Sequence, residues 1–142
     1  MKKIVGVFFF AVIAFSMMSY SSSKGGGTGI SFSKVSFEKA KKEASKSGKL
    51  IFIDAYTDWC GLCKRMAATT FKDREVGELF NDNFVNLKVE MEKTSDGKEL
   101  SRLYRVRAYP TLLIVDDQGN LVKQLVGFQS KEKLIAFAES AL

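Results

Sequence analysis

The hydrophobic rhythm of the chain changes abruptly between residues 49 and 65. From Lys49, the run Leu50-Ile51-Phe52-Ile53-Asp54-Ala55-Tyr56 is almost unbroken in its apolar character, which predicts a strand buried on both faces at the centre of a sheet. Trp59-Cys60-Gly61-Leu62-Cys63-Lys64-Arg65 follows and opens a helical pattern, in which Leu62, Met66, Ala67, Thr70 and Phe71 recur at helical spacing. These seven residues hold the only two cysteines. Thiols at i and i+3 on the first turn of a helix share one face and lie within bonding reach. The first meets the helix N-terminus, where unpaired N–H groups and the macrodipole favour thiolate over thiol, so Cys60 is the expected nucleophile. Cys63, one turn in, is expected to be more buried and later to ionise, as suits a resolving thiol.

Length and charge narrow the alternatives. The 142 residues are enough for one domain with its own hydrophobic core, and 46% apolar with 27% charged is ordinary for a globular protein. The formal charge of +6 is partly an N-terminal matter. Beyond Lys2, Lys3 and Lys24 there remain nineteen basic against sixteen acidic side chains, or +3, too little to argue for nucleic acid. The absence of histidine excludes His-based catalysis, His metal ligation and a Cys-His couple. Two cysteines supply only half of a four-ligand zinc site, so no metal is expected.

Residues 1–23 read as a secretory signal peptide: Met1-Lys2-Lys3 is a positive n-region, Ile4 to Phe15 an uncharged apolar stretch, and Ser16 to Ser23 a small, polar segment with Ser19 and Ser21 before a cleavage point. The apolar core is shorter than the roughly 18–20 residues of a spanning helix, which leaves an uncleaved membrane anchor as the alternative. An exported protein, periplasmic or otherwise, meets an oxidising compartment in which a lone cysteine pair is oxidised unless something reduces it. Residues 24–29 form a Gly-rich linker, and the domain is expected to span 30–142.

Within that domain, Ser36 is a fitting N-cap for a helix with Phe37, Ala40 and Ala44 on its apolar stripe and Gly48 as its stop, while Lys39, Lys41, Lys42 and Lys46 make a solvated face. The helix after the cysteines is expected to break near Lys72, with Asp73 capping a second piece that carries Val76, Leu79 and Phe80. Phe84 to Met91 reads as a strand parallel to the first, with Val85, Leu87, Val89 and Met91 on one face. Thr94 to Gly97 reads as a turn, and Leu100, Leu103 and Tyr104 as a short helix. Thr111 to Val115 and Leu121 to Val126 flank a hairpin signal, Gly127 ends the second strand, and Ser130 caps a closing helix with Leu134, Phe137, Ala138 and Ala141. An edge strand at Ile30 to Val35 stays open. The fold class is α/β, one domain with a mixed sheet flanked by helices on both sides.

From about Phe37 to the C-terminus these elements resemble the thioredoxin superfamily. The resemblance rests on Trp59-Cys60-Gly61-Leu62-Cys63-Lys64 at a strand-to-helix junction, Asp54 six residues before the first cysteine, Lys88 on the next strand, Gly127, and Tyr109-Pro110-Thr111, which looks like the family's cis-proline loop and holds the only proline. Leu62 departs from thioredoxin itself, which has proline there. The likeness is greater to exported thioredoxin-like proteins.

The resemblance implies a thiol:disulfide oxidoreductase that exchanges a Cys60-Cys63 disulfide with cysteine-containing substrate proteins and needs no further cofactor. Asp54, buried in an apolar strand, is expected to titrate high and to accept the proton of Cys63 as that sulfur attacks, with Lys88 as its partner. The plainer readings are a strand-end Asp54 satisfied by backbone and a surface Lys88. Trp59 is expected to cover the disulfide, with a core tryptophan as the alternative. Gly61 and Leu62 lie between the cysteines at the substrate face. A cis Pro110 would leave the backbone of Tyr109 free to pair with an extended substrate. Because Gly61 and Leu62 add no charge, the helix terminus is the main stabiliser of a Cys60 thiolate, and the expected direction is reduction, with a membrane thiol reductase as electron donor. The competing function is a redox-inert binding module with a structural disulfide.

Overall fold

The computed structural model describes residues 28–142, so the signal peptide expected at 1–23 and most of the linker expected at 24–29 lie outside the described residues. Ten elements follow in order: α1 Phe37–Ser47, β1 Leu50–Tyr56, α2 Gly61–Ala68, a single 3₁₀ turn Thr70–Lys72, α3 Arg74–Asn83, β2 Phe84–Glu90, α4 Ser95–Leu103, β3 Thr111–Val115, β4 Leu121–Val126 and α5 Lys131–Glu139. Ser36, Asp73 and Ser130 cap α1, α3 and α5 by accepting backbone N–H bonds with their side chains, which satisfies donors that the first helical turn leaves unpaired.

The sheet has the order β2-β1-β3-β4, with β1 parallel to β2 and antiparallel to β3. That central place explains the apolar run: both faces of β1 are covered. Ile51, Ile53 and Ala55 face α1 and α4, in a cluster with Phe37, Ala40, Leu100 and Tyr104. Phe52 points the other way and packs with Met66, Phe71, Phe80 and Leu134 from α2, the 3₁₀ turn, α3 and α5. Alternation along the strand puts Asp54 on this second face, beneath the cysteine helix. The lysines Lys39, Lys42 and Lys46 of α1 are exposed.

Residues 29–33 form a strap instead of a full edge strand. Ser33 makes one isolated parallel bridge to Leu87, Ile30 N–H donates to the Phe71 carbonyl, and the Asn81 side chain bonds both Ser31 N–H and the Gly29 carbonyl. The Phe32 ring lies 5.4 Å from Phe71 and 6.3 Å from Phe52, centroid to centroid.

One expectation for the α4 region is corrected. Thr94 to Gly97 is not a free-standing turn: Thr94 caps α4 by accepting from Gly97 N–H, and Gly97 sits inside the helix. The glycine is there because a side chain would overlap the backbone of Glu90 and Met91, a packing demand that composition does not distinguish from turn chemistry. The short helix expected at Leu100, Leu103 and Tyr104 is the C-terminal part of α4, where Leu100 and Tyr104 are buried and Leu103 is 57% exposed.

Candidate active site

Cys60 is the N-cap of α2, and its Sγ accepts the backbone N–H of Cys63 at 3.1 Å. The strand-to-helix change therefore delivers one sulfur to the positive end of the helix, where a thiolate is stabilised by the same N–H groups that would otherwise lack a partner. Cys60 and Cys63 are joined in a disulfide with a Cα–Cα distance of 5.3 Å. In this disulfide form the two residues are 4% and 3% exposed. With the sulfurs bonded, position on the helix distinguishes the two residues more than burial does.

Asp54 is 1% exposed, and neither carboxylate oxygen has a hydrogen-bond partner among the described residues. The reading of a strand-end aspartate satisfied by backbone is excluded. Burial without hydrogen bonds penalises the charged form and pushes the carboxyl up to about 7, while Lys88 opposes the shift. Lys88 reaches it because the parallel register sets the two residues side by side, with Nζ 3.9 Å from Asp54 Oδ2. The same ammonium lies 4.7 Å from the Tyr56 ring centroid. Lys88 is thus half-buried and doubly engaged, unlike a free surface lysine.

Trp59 is not a core residue: it is 65% exposed. Its ring meets Tyr109 edge-to-face at 5.9 Å between centroids, which ties the Tyr109-Pro110 loop to the residue before Cys60. The Tyr109–Pro110 peptide bond is cis, Pro110 is buried, and its carbonyl accepts Gly127 N–H at 2.8 Å. Gly61 and Leu62 are exposed beside the disulfide. The site therefore groups into two sets, Asp54 with Lys88 beneath the helix and Trp59 with Tyr109 on the surface.

Sequence reasoning missed the loop after β2. Glu92 Oε2 accepts the indole Nε1–H of Trp59 at 2.9 Å, and Lys93 Nζ lies 2.6 Å from Asp58 Oδ2. These contacts span 33 and 35 residues and depend on where the loop crosses the cysteine turn, which no local pattern encodes.

Residues 37–142 match the family model described as a thioredoxin-like domain. A thiol:disulfide interchange protein DsbD from Colwellia psychrerythraea is 35% identical over 107 residues, which cover 72% of this chain and 17% of that protein. The chain thus spans under a fifth of the length of the curated relatives it matches. Among solved structures, a putative disulphide-isomerase from Bacteroides thetaiotaomicron is 43% identical with a TM-score of 0.72, covering 81% of this chain and 94% of that one. The C-terminal domain of Neisseria meningitidis DsbD in its oxidised form is 26% identical with a TM-score of 0.62, covering 73% and 90% respectively.

Proposed function

Because this chain belongs to the thioredoxin-like family and is a disulfide oxidoreductase by its Cys-x-x-Cys disulfide and its relatives, we propose that it reduces disulfides of substrate proteins outside the cytoplasm. The observation that carries the proposal is the placement of the Cys60 sulfur as the cap of α2, together with a buried Asp54 on the preceding strand whose carboxylate has no hydrogen bond among the described residues.

In the dithiol form the Cys60 thiolate attacks one sulfur of a substrate disulfide. That S–S bond breaks, a mixed disulfide forms at Cys60, and the first substrate sulfur leaves as a thiolate. Cys63 then gives its proton to the Asp54 carboxylate and attacks the Cys60 sulfur, which expels the second substrate sulfur and leaves the Cys60–Cys63 disulfide. Two electrons pass to the substrate. A carboxyl that titrates near neutrality both accepts and returns a proton at that pH, so the same group serves the reverse step. Trp59, Gly61, Leu62 and the Tyr109-Pro110 loop form the surface on which an extended substrate segment lies, and no cofactor beyond the disulfide takes part. Export of the chain, read from residues 1–23, calls for a membrane thiol reductase to restore the dithiol, in keeping with the likeness to DsbD.

Two measurements test this. Cys63→Ser is expected to accumulate a mixed disulfide with substrate through Cys60, because the resolving thiol is lost; no trapped adduct would leave the disulfide a structural one. Equilibration with glutathione is expected to give a potential well below about −180 mV, and a value above it would place the couple with disulfide isomerases.

A further inference from the structure

Glu90 is a buried carboxylate that the exchange chemistry does not use. It ends β2 at 7% exposure, and its Oε1 has no partner among the described residues. Its Oε2 accepts two consecutive backbone N–H groups, from Glu92 at 3.1 Å and from Lys93 in a short bond. Burying a carboxylate is costly unless hydrogen bonds compensate, so the group is spent on holding one turn of the loop. The main chain is fixed on the same spot: Met91 N–H donates to the Tyr56 carbonyl at 2.9 Å, and the Thr94 hydroxyl donates to the Glu90 carbonyl at 2.7 Å.

The two residues whose N–H groups Glu90 holds are the two that reach the cysteine turn, Glu92 to the Trp59 indole and Lys93 to Asp58. Exposed contacts of this kind contribute little when their ends are free to move. Fixing the backbone under both removes that freedom in advance. Trp59 is then held between Glu92 on one side and the Tyr109 ring on the other, while staying largely exposed. We propose that Glu90 is a positioning residue that acts through Glu92 and Lys93 to hold Trp59 as a preset contact surface for protein substrates. The proposal deepens the disulfide-exchange reading and rests on it for its kinetic arm alone.

Trp59 is the only tryptophan of the chain, so its emission reports this site without background. In the full chain, Glu90→Ala is expected to widen the fast motion of Trp59 in time-resolved fluorescence anisotropy, and Glu90→Gln, which keeps an acceptor oxygen, to restore it. With insulin as the disulfide substrate, Glu90→Ala is expected to raise KM about fivefold with kcat within about twofold, because uniform binding is lost and not transition-state contact. If Glu90→Ala does not fold, Glu90→Asp serves, since it keeps the charge but withdraws the carboxylate by one methylene. A folded Ala or Asp variant with unchanged Trp59 motion and unchanged KM overturns the proposal. The anisotropy needs no turnover, so a chain that fails to exchange disulfides sinks the functional reading and leaves this one to be decided by Trp59 motion.

Discussion

Asp54 is easier to protonate in the folded chain than in the unfolded one, and the sign of its effect on stability follows. Between an unfolded value near 4 and a folded value of about 7 the native state binds the extra proton, so stability falls as pH rises through that window and levels off above it. The ceiling on the effect is about 4 kcal/mol, from some three pH units at 1.36 kcal/mol each. Asp54→Asn is expected to flatten that slope and to raise stability at pH 8 by about 2 kcal/mol, less than the ceiling because the amide is still buried unpaired. Urea unfolding of both proteins at pH 5 and pH 8 checks it, and a variant with the wild-type slope would move the dependence elsewhere. Arg105 is a second residue out of its preferred state, with φ of 53° directly after Tyr104, the C-cap of α4. Only glycine adopts that geometry without a Cβ penalty, so Arg105→Gly is expected to stabilise by about 1 kcal/mol, read as a rise in Tm. A fall in Tm would mean that the arginine side chain contributes contacts that outweigh its backbone.

Among elements, α4 shows why some parts of the chain were legible and others were not. The caps Ser36, Asp73 and Ser130 could be read because each acts within three residues of itself, through its own oxygen. The β1 run could be read because a central strand has no solvent face to encode. Gly97 could not, because its reason lies in the closeness of α4 to Glu90 and Met91 on another element. Gly97→Ala is therefore expected to cost more than 2 kcal/mol by pushing α4 from β2, although alanine favours the helix itself by about 1 kcal/mol. Chemical denaturation reads the result, and a stabilised variant would show that α4 can shift without loss. The candidate site divides in the same way. Asp54 and Lys88 follow from strand register, whereas the Glu92–Trp59 and Lys93–Asp58 contacts follow from a loop crossing.

On the scale of the molecule, the two cores on opposite faces of one sheet leave the ends of the strands to carry chemistry. The turns that follow β1 and β2 meet there, and the Tyr109-Pro110 turn before antiparallel β3 comes to the same end, which is how three stretches far apart in sequence share Trp59. The strap at residues 29–33 belongs to the folded unit, since a methyl on Gly77 would overlap the backbone of Gly29 and one on Gly29 would overlap the backbone of Phe71 and Lys72. This bears on where the chain can be cut. A version beginning at Ser36 leaves behind Phe32 and both Asn81 bonds, and is expected to be less stable by about 3 kcal/mol or more than one beginning at Thr28, in line with removal of a packed phenylalanine. Thermal unfolding of the two shortened chains decides it, and equal stability would make the strap dispensable. Likeness to the family begins at residue 37, so a boundary drawn from that likeness alone falls inside the folded unit and opens the Phe52 and Phe71 rings to water.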